Sequence, residues 1–200
     1  MPALVTARYH HACCAVRGSV VVIGGRKLVG NKFTTTASVE ALPSQEGAAF
    51  VILPSLLCGG IYGAAAIAVE GSDSTTGQVL IVGGGDSSHL PLSMTVQLVD
   101  LATGVCTPQP HLLRGRVFAA AARMPDDRVV CAGGNVVGIL SSVEVLGPPE
   151  QGAQDAACSW TELPTMSIAR YSCSGCVMSD GRFAVLGGSG SNGPMSSCEA

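Results

Sequence analysis

The chain contains one pair of cysteines at a spacing used by metal sites and redox motifs. Cys173 and Cys176 form its Cys-x-x-Cys, but a zinc site normally adds a second pair or two histidines. Side chains three residues apart on a strand point to opposite faces, so this pair is badly placed to chelate an ion. The adjacent His10 and His11 face opposite ways in an extended segment for the same reason. We therefore expect no metal and no other cofactor.

Residues 188–193 match the Gly-x-Gly-x-x-Gly pattern of dinucleotide sites. That pattern works when a helix follows and offers its N-terminus to the pyrophosphate. Here Pro194 and another extended segment follow, which indicates a turn. The spacings assemble no Ser/His/Asp or Cys/His arrangement, and acids such as Asp126 and Asp155 lie in polar turn segments. The sequence therefore gives no support for an enzyme.

The composition narrows the classes of partner. With 47% hydrophobic and 12% charged residues, the chain is too apolar to be disordered. The net charge is −3 and there is no run of Lys or Arg, so neither nucleic acid nor an anionic membrane surface is favoured. No apolar stretch approaches the roughly 20 residues of a membrane-spanning helix.

The nine cysteines indicate a reducing compartment. Their number is odd and their spacing follows no disulfide framework. Most lie in small apolar runs, where a free cysteine packs as a small hydrophobe. The first eleven residues also lack the basic start and apolar core of a secretory signal. We therefore expect a cytoplasmic location.

Three sequence markers recur four times in the same order. An apolar run closes in a glycine pair, at 50- to 59-residue intervals, at Gly24-Gly25, Gly83-Gly84, Gly133-Gly134 and Gly187-Gly188. A proline is followed six residues later by Arg or Gly, as Pro2/Arg8, Pro54/Gly60, Pro110/Arg116 and Pro164/Arg170. A third marker follows each pair, at Ser38-Val39-Glu40, Thr95-Val96-Gln97, Ser142-Val143-Glu144 and Ser197-Cys198-Glu199. Such a period indicates stacked repeat units. Their approximate bounds are 8–54, 60–110, 116–164 and 170–200, with an insertion at 71–77.

Each unit reads as a set of short strands. Val- and Ile-rich runs bounded by Gly, Pro, Ser and Asp indicate strands rather than helices. The small apolar runs after the arginines, such as HACCAV and FAAAARM, suit a crowded hub where sheets converge. The glycine pairs supply positive φ and allow close backbone approach. Four antiparallel strands in about 50 residues are typical of a propeller blade.

The units resemble kelch repeats. The third, running from Arg116 through VVCAGG and SSVEVL to WTELP, is the fullest match. Phe50, Cys106 and Trp160 each lie four residues before a proline, and Trp160 alone supplies the strong aromatic anchor. The resemblance implies an all-β, kelch-type β-propeller over residues 1–200, with about four blades of four antiparallel strands. The last unit has no fourth strand, so we expect a partial or truncated propeller whose open blade edges favour self-association.

Arg8, Arg116 and Arg170 are the candidate binding residues. In kelch domains an arginine at this repeat position often lies near a pocket at one face of the ring, where acidic or polar peptides dock. A guanidinium suits that work because it forks onto carboxylates. Recurrence in three units equally fits a structural role, in which the arginines satisfy loop carbonyls between blades. Loops that differ between units, at 26–27 and 86–89, would then set specificity.

These observations favour a non-enzymatic module that presents propeller loops to a protein partner, as a substrate receptor or adaptor. One alternative is an enzyme domain, because kelch-type propellers also occur in oxidases of the galactose oxidase kind and in sugar isomerases. That alternative needs a metal or acid/base cluster. Another is a fragment without an independent function.

Overall fold

The computed structural model describes residues 2–56, 59–69, 77–86, 94–147 and 158–200. Their strands form four antiparallel sheets, one for each sequence unit, arranged as the four blades of a propeller. The predicted all-β class and the four blades are therefore confirmed. None of the described residues belongs to a helix long and apolar enough to cross a membrane.

Each blade is built from antiparallel strands that follow one another from its inner edge outward. Blade 1 consists of β1 (Ala12–Val16), β2 (Ser19–Ile23), β5 (Val39–Leu42) and β6 (Val51–Leu53), with a hairpin of β3 (Arg26–Val29) and β4 (Lys32–Thr35). Blade 2 consists of β7 (Ala65–Val69), β8 (Gln78–Val82), β9 (Val96–Asp100) and β10 (Cys106–Gln109). Blade 3 consists of β11 (Ala120–Arg123), β12 (Val129–Ala132), β13 (Val143–Gly147) and β14 (Ser159–Leu163). Blade 4 consists of β15 (Ser174–Val177), β16 (Phe183–Leu186) and β19 (Cys198–Glu199), with a hairpin of β17 (Ser189–Gly190) and β18 (Gly193–Pro194).

Small side chains let the inner strands converge. β7 contacts both β1 and β11, and β11 in turn contacts β15. β7 has the sequence AAIAV and β11 has AAAR, so few large side chains stand between neighbouring backbones at the hub. Interiors are packed to the density of organic crystals, and larger residues here would force the blades apart.

The larger apolar side chains fill the spaces between successive blades. Alternate side chains of a second strand face the two neighbouring blades: in β8, Val79 and Ile81 pack against blade 1, whereas Leu80 and Val82 pack against blade 3. Three separate cores result, one at each junction between blades in chain order. Sheet-on-sheet burial of this kind is what stabilises a radial array, because no single blade can cover its own faces.

The glycine pairs join the blades. The N–H of the second glycine donates to a carbonyl at the start of the next blade: Gly25 to Ile61 (2.6 Å), Gly84 to Arg116 (2.7 Å) and Gly134 to Arg170 (2.8 Å). The first glycine makes room for that carbonyl. A Cβ at Gly133, where φ is +66°, would lie 2.4 Å from the Arg170 oxygen.

Two features named from the sequence lie partly outside the described residues. Of the insertion at 71–77, Gly77 is described, directly before β8. Of the loop at 86–89, Asp86 is described.

We expect Gly133→Ala to lower the free energy of unfolding by roughly 1–3 kcal/mol, because it combines a left-handed backbone with a backbone clash. Gly138→Ala is the matched control, since a Cβ at Gly138 meets nothing within 4 Å and its φ is not positive. Urea unfolding followed by far-UV circular dichroism measures both. Equal unfolding midpoints for the two variants would contradict this account of the glycine pair.

Candidate functional site

The three predicted arginines are buried inside the blades. The side chains of Arg8, Arg116 and Arg170 are each 0% exposed, and each pairs with the glutamate of the third-strand marker. The Nη2 of Arg116 lies 2.6 Å from Glu144 Oε1, and that of Arg170 lies 2.7 Å from Glu199 Oε1. Arg8 pairs with Glu40 in the same way.

Each guanidinium also binds its own blade. Arg116 Nη1 donates to the carbonyls of Gly133 and Ser142, both at 2.8 Å, and Nη2 donates to Ser142 Oγ at 2.9 Å. The carboxylate of Glu144 in turn accepts the backbone N–H groups of Leu113 (2.7 Å) and Arg114 (3.0 Å). The pair therefore ties the loop that enters blade 3 to the second and third strands of that blade.

These contacts are structural, but they satisfy carbonyls within the arginine's own blade and not the loop carbonyls between blades that the sequence suggested. The other two arginines repeat them: Arg8 donates to Gly24 and Ser38, and Arg170 to Gly187 and Ser197. Binding of a partner by the three arginines stays a prediction. A partner would reach a fully buried guanidinium only after the blade had opened.

Blade 2 lacks the ion pair, and here the structure corrects the repeat alignment. Ile61, not Gly60, stands where the other blades have arginine, because its carbonyl accepts the bond from Gly25 just as Arg116 accepts from Gly84. The linker before blade 2 is one residue longer than the others. Pro54 lies seven residues before Ile61, whereas the prolines of the other units lie six residues before the arginine. The glutamate position is occupied by Gln97, which is buried. Blade 2 has thus lost both charges together, which leaves no buried charge unpaired at these two positions.

A surface that collects residues from all four blades lies at the start of the inner strands. His10, Gly63, Phe118 and Ser172 occupy equivalent positions, and all four have positive φ, from 51° to 62°. Three backbone bonds connect them in chain order: Gly63 N–H to His10 (2.8 Å), Phe118 N–H to Gly63 (2.7 Å) and Ser172 N–H to Phe118 (2.9 Å). The left-handed backbone of a bulky residue such as Phe118 is unusual, and its recurrence at all four equivalent positions makes it a feature of the repeat.

A band of rings runs across this surface. The aromatic band consists of Phe33, Tyr9, His10, Phe118 and Tyr62, and successive ring centroids are 4.7–5.8 Å apart. Most of the contacts are edge-to-face, the geometry that aromatic pairs prefer. The guanidinium of Arg26 lies 3.6 Å from the centroid of Tyr62 and adds a cation at one end of the band.

A cavity of about 260 Å³ opens beside the band. Its lining comes from all four blades and includes His10, His11, Phe118 and Cys173. Burial, and next the positive charge of Arg8, lower the pKa of His11 below its ordinary value, so this imidazole is neutral at pH 7. Burial raises the pKa of the Cys173 thiol. The cavity therefore presents the neutral imidazole of His11 and the protonated thiol of Cys173 beside the aromatic band.

The other chemical motifs take separate places. Cys176 lies on β15 while Cys173 precedes that strand, and Cys176 is exposed whereas Cys173 is half-buried. Over the described ranges, no three His, Cys, Asp or Glu side chains come together in a group that could hold a metal ion. The glycine-rich segment 188–193 forms the β17–β18 hairpin, with Gly190 opposite Gly193.

Sequence reasoning missed the aromatic band. Its members are spread over three blades, and only Tyr9 and His10 are neighbours in the chain. One signal was present in part: Tyr9 and Tyr171 each directly follow a repeat arginine. In the structure, Tyr9, Tyr62, Val117 and Tyr171 are equivalent, because each bridges the residue that follows its glycine pair. The residue after each of these four has a left-handed backbone. The sequence could not predict this conformation, because three of those residues, His10, Phe118 and Ser172, are not glycine.

Comparisons with known proteins add no family to this geometry. A scan against protein-family models gave no match, and a search of curated proteins gave none. The structure itself shows the arrangement of a four-blade β-propeller.

The ion pair of blade 3 can be replaced by isoleucine and glutamine, the residues that blade 2 has at the same positions. We expect Arg116→Ile or Glu144→Gln alone to lower the unfolding free energy by about 3–5 kcal/mol, since each leaves a buried partner unsatisfied. The double variant should lose clearly less unfolding free energy than the sum of the losses in the two single variants. Urea unfolding provides the double-mutant cycle.

The exposed pair Arg114 and Glu162 is the control for that cycle. These two side chains are 56% and 55% exposed and lie 3.2 Å apart. Their cycle to alanine should give a coupling of only about 0.2–1 kcal/mol. Additive effects in both cycles would contradict a stabilising role for the buried pair.

Cysteine reactivity checks the packing of the blades. Burial raises the pKa of Cys131 to about 12, and burial together with the neighbouring Cys13 raises that of Cys14 to about 12. At pH 8 both should stay unmodified by iodoacetamide while the exposed Cys176 and Cys198 react, because the thiolate is the nucleophile. Peptide mass spectrometry measures each site, and unfolding in concentrated urea should make all of them react. Rapid native modification of Cys131 would mean that the junction between blades 2 and 3 opens readily.

Proposed function

We propose that this chain is a kelch-type propeller that acts as a non-enzymatic protein-binding module. The observation that carries the proposal is the aromatic band, which lies across a surface to which all four blades contribute. Aromatic side chains are enriched among the residues that dominate protein–protein binding. A substrate-receptor or adaptor role would use this same surface.

Exposed apolar side chains in the loops that follow two of the glycine pairs support the proposal. On the β3–β4 hairpin, Leu28 is 61% and Phe33 is 63% exposed. In the corresponding loop of blade 3, Val137 is fully exposed. Apolar residues grouped on a protruding surface are typical of interaction sites, whereas single exposed ones are common everywhere.

Charge indicates the kind of partner. The β3–β4 hairpin carries three cations, Arg26, Lys27 and Lys32, and its ten residues include no acid. An extended segment that alternates acidic and apolar residues would match both features. Arg26 is held over the ring of Tyr62, and a guanidinium of this kind can fork onto a carboxylate of the partner.

The kelch assignment and the location belong to the same proposal. In blade 3 the glycine pair directly follows the second strand, Val143 and Glu144 of the third marker lie on the third strand, and Trp160 lies on the fourth. This order supports the kelch assignment. A cytoplasmic location is proposed from the odd, scattered cysteines.

Affinity capture from a cytoplasmic extract with a paired control tests the function. We expect a Phe33→Ser/Val137→Ser variant to recover its partner at least about 30-fold less than the parent chain, the loss typical of a central aromatic contact. Val51→Ser/Ile52→Ser is the control, because these side chains are similarly exposed on the outer strand β6. Circular dichroism confirms that both variants fold. Equal recovery by the parent and by both variants would overturn the proposal.

A further inference from the structure

The outer strands of blades 1, 2 and 3 are equivalent and can be compared position by position. Each runs from the position of the Trp160 anchor to a proline four residues later, at 50–54, 106–110 and 160–164. Among the described strands, each pairs with the third strand of its blade and forms the outer edge of the sheet. An edge strand presents N–H and C=O groups that another strand can bind.

The middle residue of the outer strand turns its backbone groups outward, as Ile52 shows. Ile52 lies opposite Glu40 of β5. Glu40 forms its main-chain hydrogen bonds with β2, because the Gly24 N–H donates to the Ser38 carbonyl and every second pair of that ladder is bonded. Successive backbone groups of a strand point to opposite sides, so the N–H and C=O of Ile52 point away from β5. An added strand would bind at this residue.

Blades 2 and 3 carry residues that block addition at the same position. Blade 2 has Pro108, opposite Gln97, and proline has no N–H to offer an added strand. Blade 3 has Glu162, opposite Glu144. The Glu162 side chain is 55% exposed and lies 3.2 Å from Arg114. Prolines and charged side chains are the residues that commonly protect edge strands from pairing.

Blade 1 has neither kind of protection on its outer strand. Val51 is 47% exposed and Ile52 is 58% exposed. The position of Val51 is occupied by threonine in blades 2 and 3, as Thr107 and Thr161. All of these residues are exposed, so the position faces solvent in each blade and only the residue type differs. An exposed apolar edge is a site of strand pairing.

The surroundings of this edge carry little free charge. Residues 47–60 contain no Lys, Arg, Asp or Glu, and Glu46 is the nearest charged residue before them. Glu40 of the neighbouring strand is buried and paired with Arg8. On the side of blade 2, the carboxylate of Asp100 accepts backbone N–H groups of its own turn. A strand that is itself apolar and uncharged therefore suits this edge best.

We propose that β6 is the contact through which two copies of this chain form a dimer. The two strands pair antiparallel about a twofold axis at Ile52, which joins the two blades into one sheet. The N–H of each Ile52 donates to the Ile52 carbonyl of the other copy, and the N–H of each Phe50 donates to the Pro54 carbonyl of the other copy. Val51 of one copy lies opposite Leu53 of the other, so every facing pair is apolar.

Symmetry is the reason that a second copy fits this edge. The same pairing about Glu162 would set two carboxylates directly opposite each other, which is destabilising. About Pro108 it would lose both central hydrogen bonds, because proline has no N–H. Of these three outer strands, β6 alone is therefore complementary to itself. The contact uses neither Phe33 nor Val137, so it does not depend on the binding function proposed for the aromatic band.

Sedimentation equilibrium of the 200-residue chain, from about 1 μM to about 1 mM with a reducing agent present, tests the dimer. We expect a dissociation constant of about 1–100 μM, because one short strand buries less area than a standard interface. Ile52→Lys should raise this constant at least about 30-fold, since it sets two like charges against each other in the interface. Thr107→Lys, on the exposed outer strand of blade 2, is the matched control and should leave the constant unchanged.

Exchange of charge at Ile52 tests the register of the two strands. Ile52→Lys and Ile52→Glu should each be monomeric alone, but their mixture should dimerise at least about 10-fold more tightly than either variant, because opposite charges then face each other. Ile52→Pro, which copies Pro108 of blade 2, removes the outward N–H and should weaken the dimer at least about 10-fold. Far-UV circular dichroism confirms that the variants fold.

Three results would overturn the proposal. They are a parent chain that stays monomeric at about 1 mM, a dimer that Ile52→Lys leaves intact, and a mixture of the two charged variants that stays monomeric. The two proposals fail independently. The Phe33→Ser/Val137→Ser variant should remain a dimer, whereas Val51→Ser/Ile52→Ser should be monomeric and still recover the partner of the aromatic band.

Discussion

The buried ion pair between the arginine and the third-strand glutamate is the interaction on which blades 1, 3 and 4 depend. In blade 3, Arg116 binds the carbonyl of Gly133, and its own carbonyl accepts the N–H of Gly84 from blade 2. One residue thus fixes the strand end inside its blade and the contact between blades. Isolating such a charge in an apolar interior costs several kcal/mol, which is why Glu144 is fully buried beside it and why its carboxylate also accepts two backbone N–H groups.

Blade 2 shows that the backbone part of this arrangement is separable from the charged part. Ile61 keeps the carbonyl bond to Gly25, while its side chain enters the apolar core between blades 1 and 2. Gln97 replaces the glutamate without adding a charge. The radial array therefore rests first on the glycine pair, which admits a carbonyl at close range. The ion pair adds a second tie, from the incoming loop to the third strand.

The surface that carries the aromatic band arises from the repeat geometry. At the hub, left-handed residues turn the chain into the inner strands, and in blades 1 and 3 those residues are His10 and Phe118, whose ring centroids are 4.9 Å apart.

The sequence by itself determined the all-β class, the four blades and the strands that carry each marker. These follow from spacing alone, because glycine pairs and β-branched runs impose the same local backbone wherever they recur. The tertiary structure decided the rest. It placed the three arginines in buried ion pairs and aligned Ile61 rather than Gly60 with them, since a one-residue change in a linker leaves no mark in the repeat pattern. It also brought Tyr9, His10, Phe33, Tyr62 and Phe118 together, because residues of different blades become neighbours only when the sheets pack around a common axis.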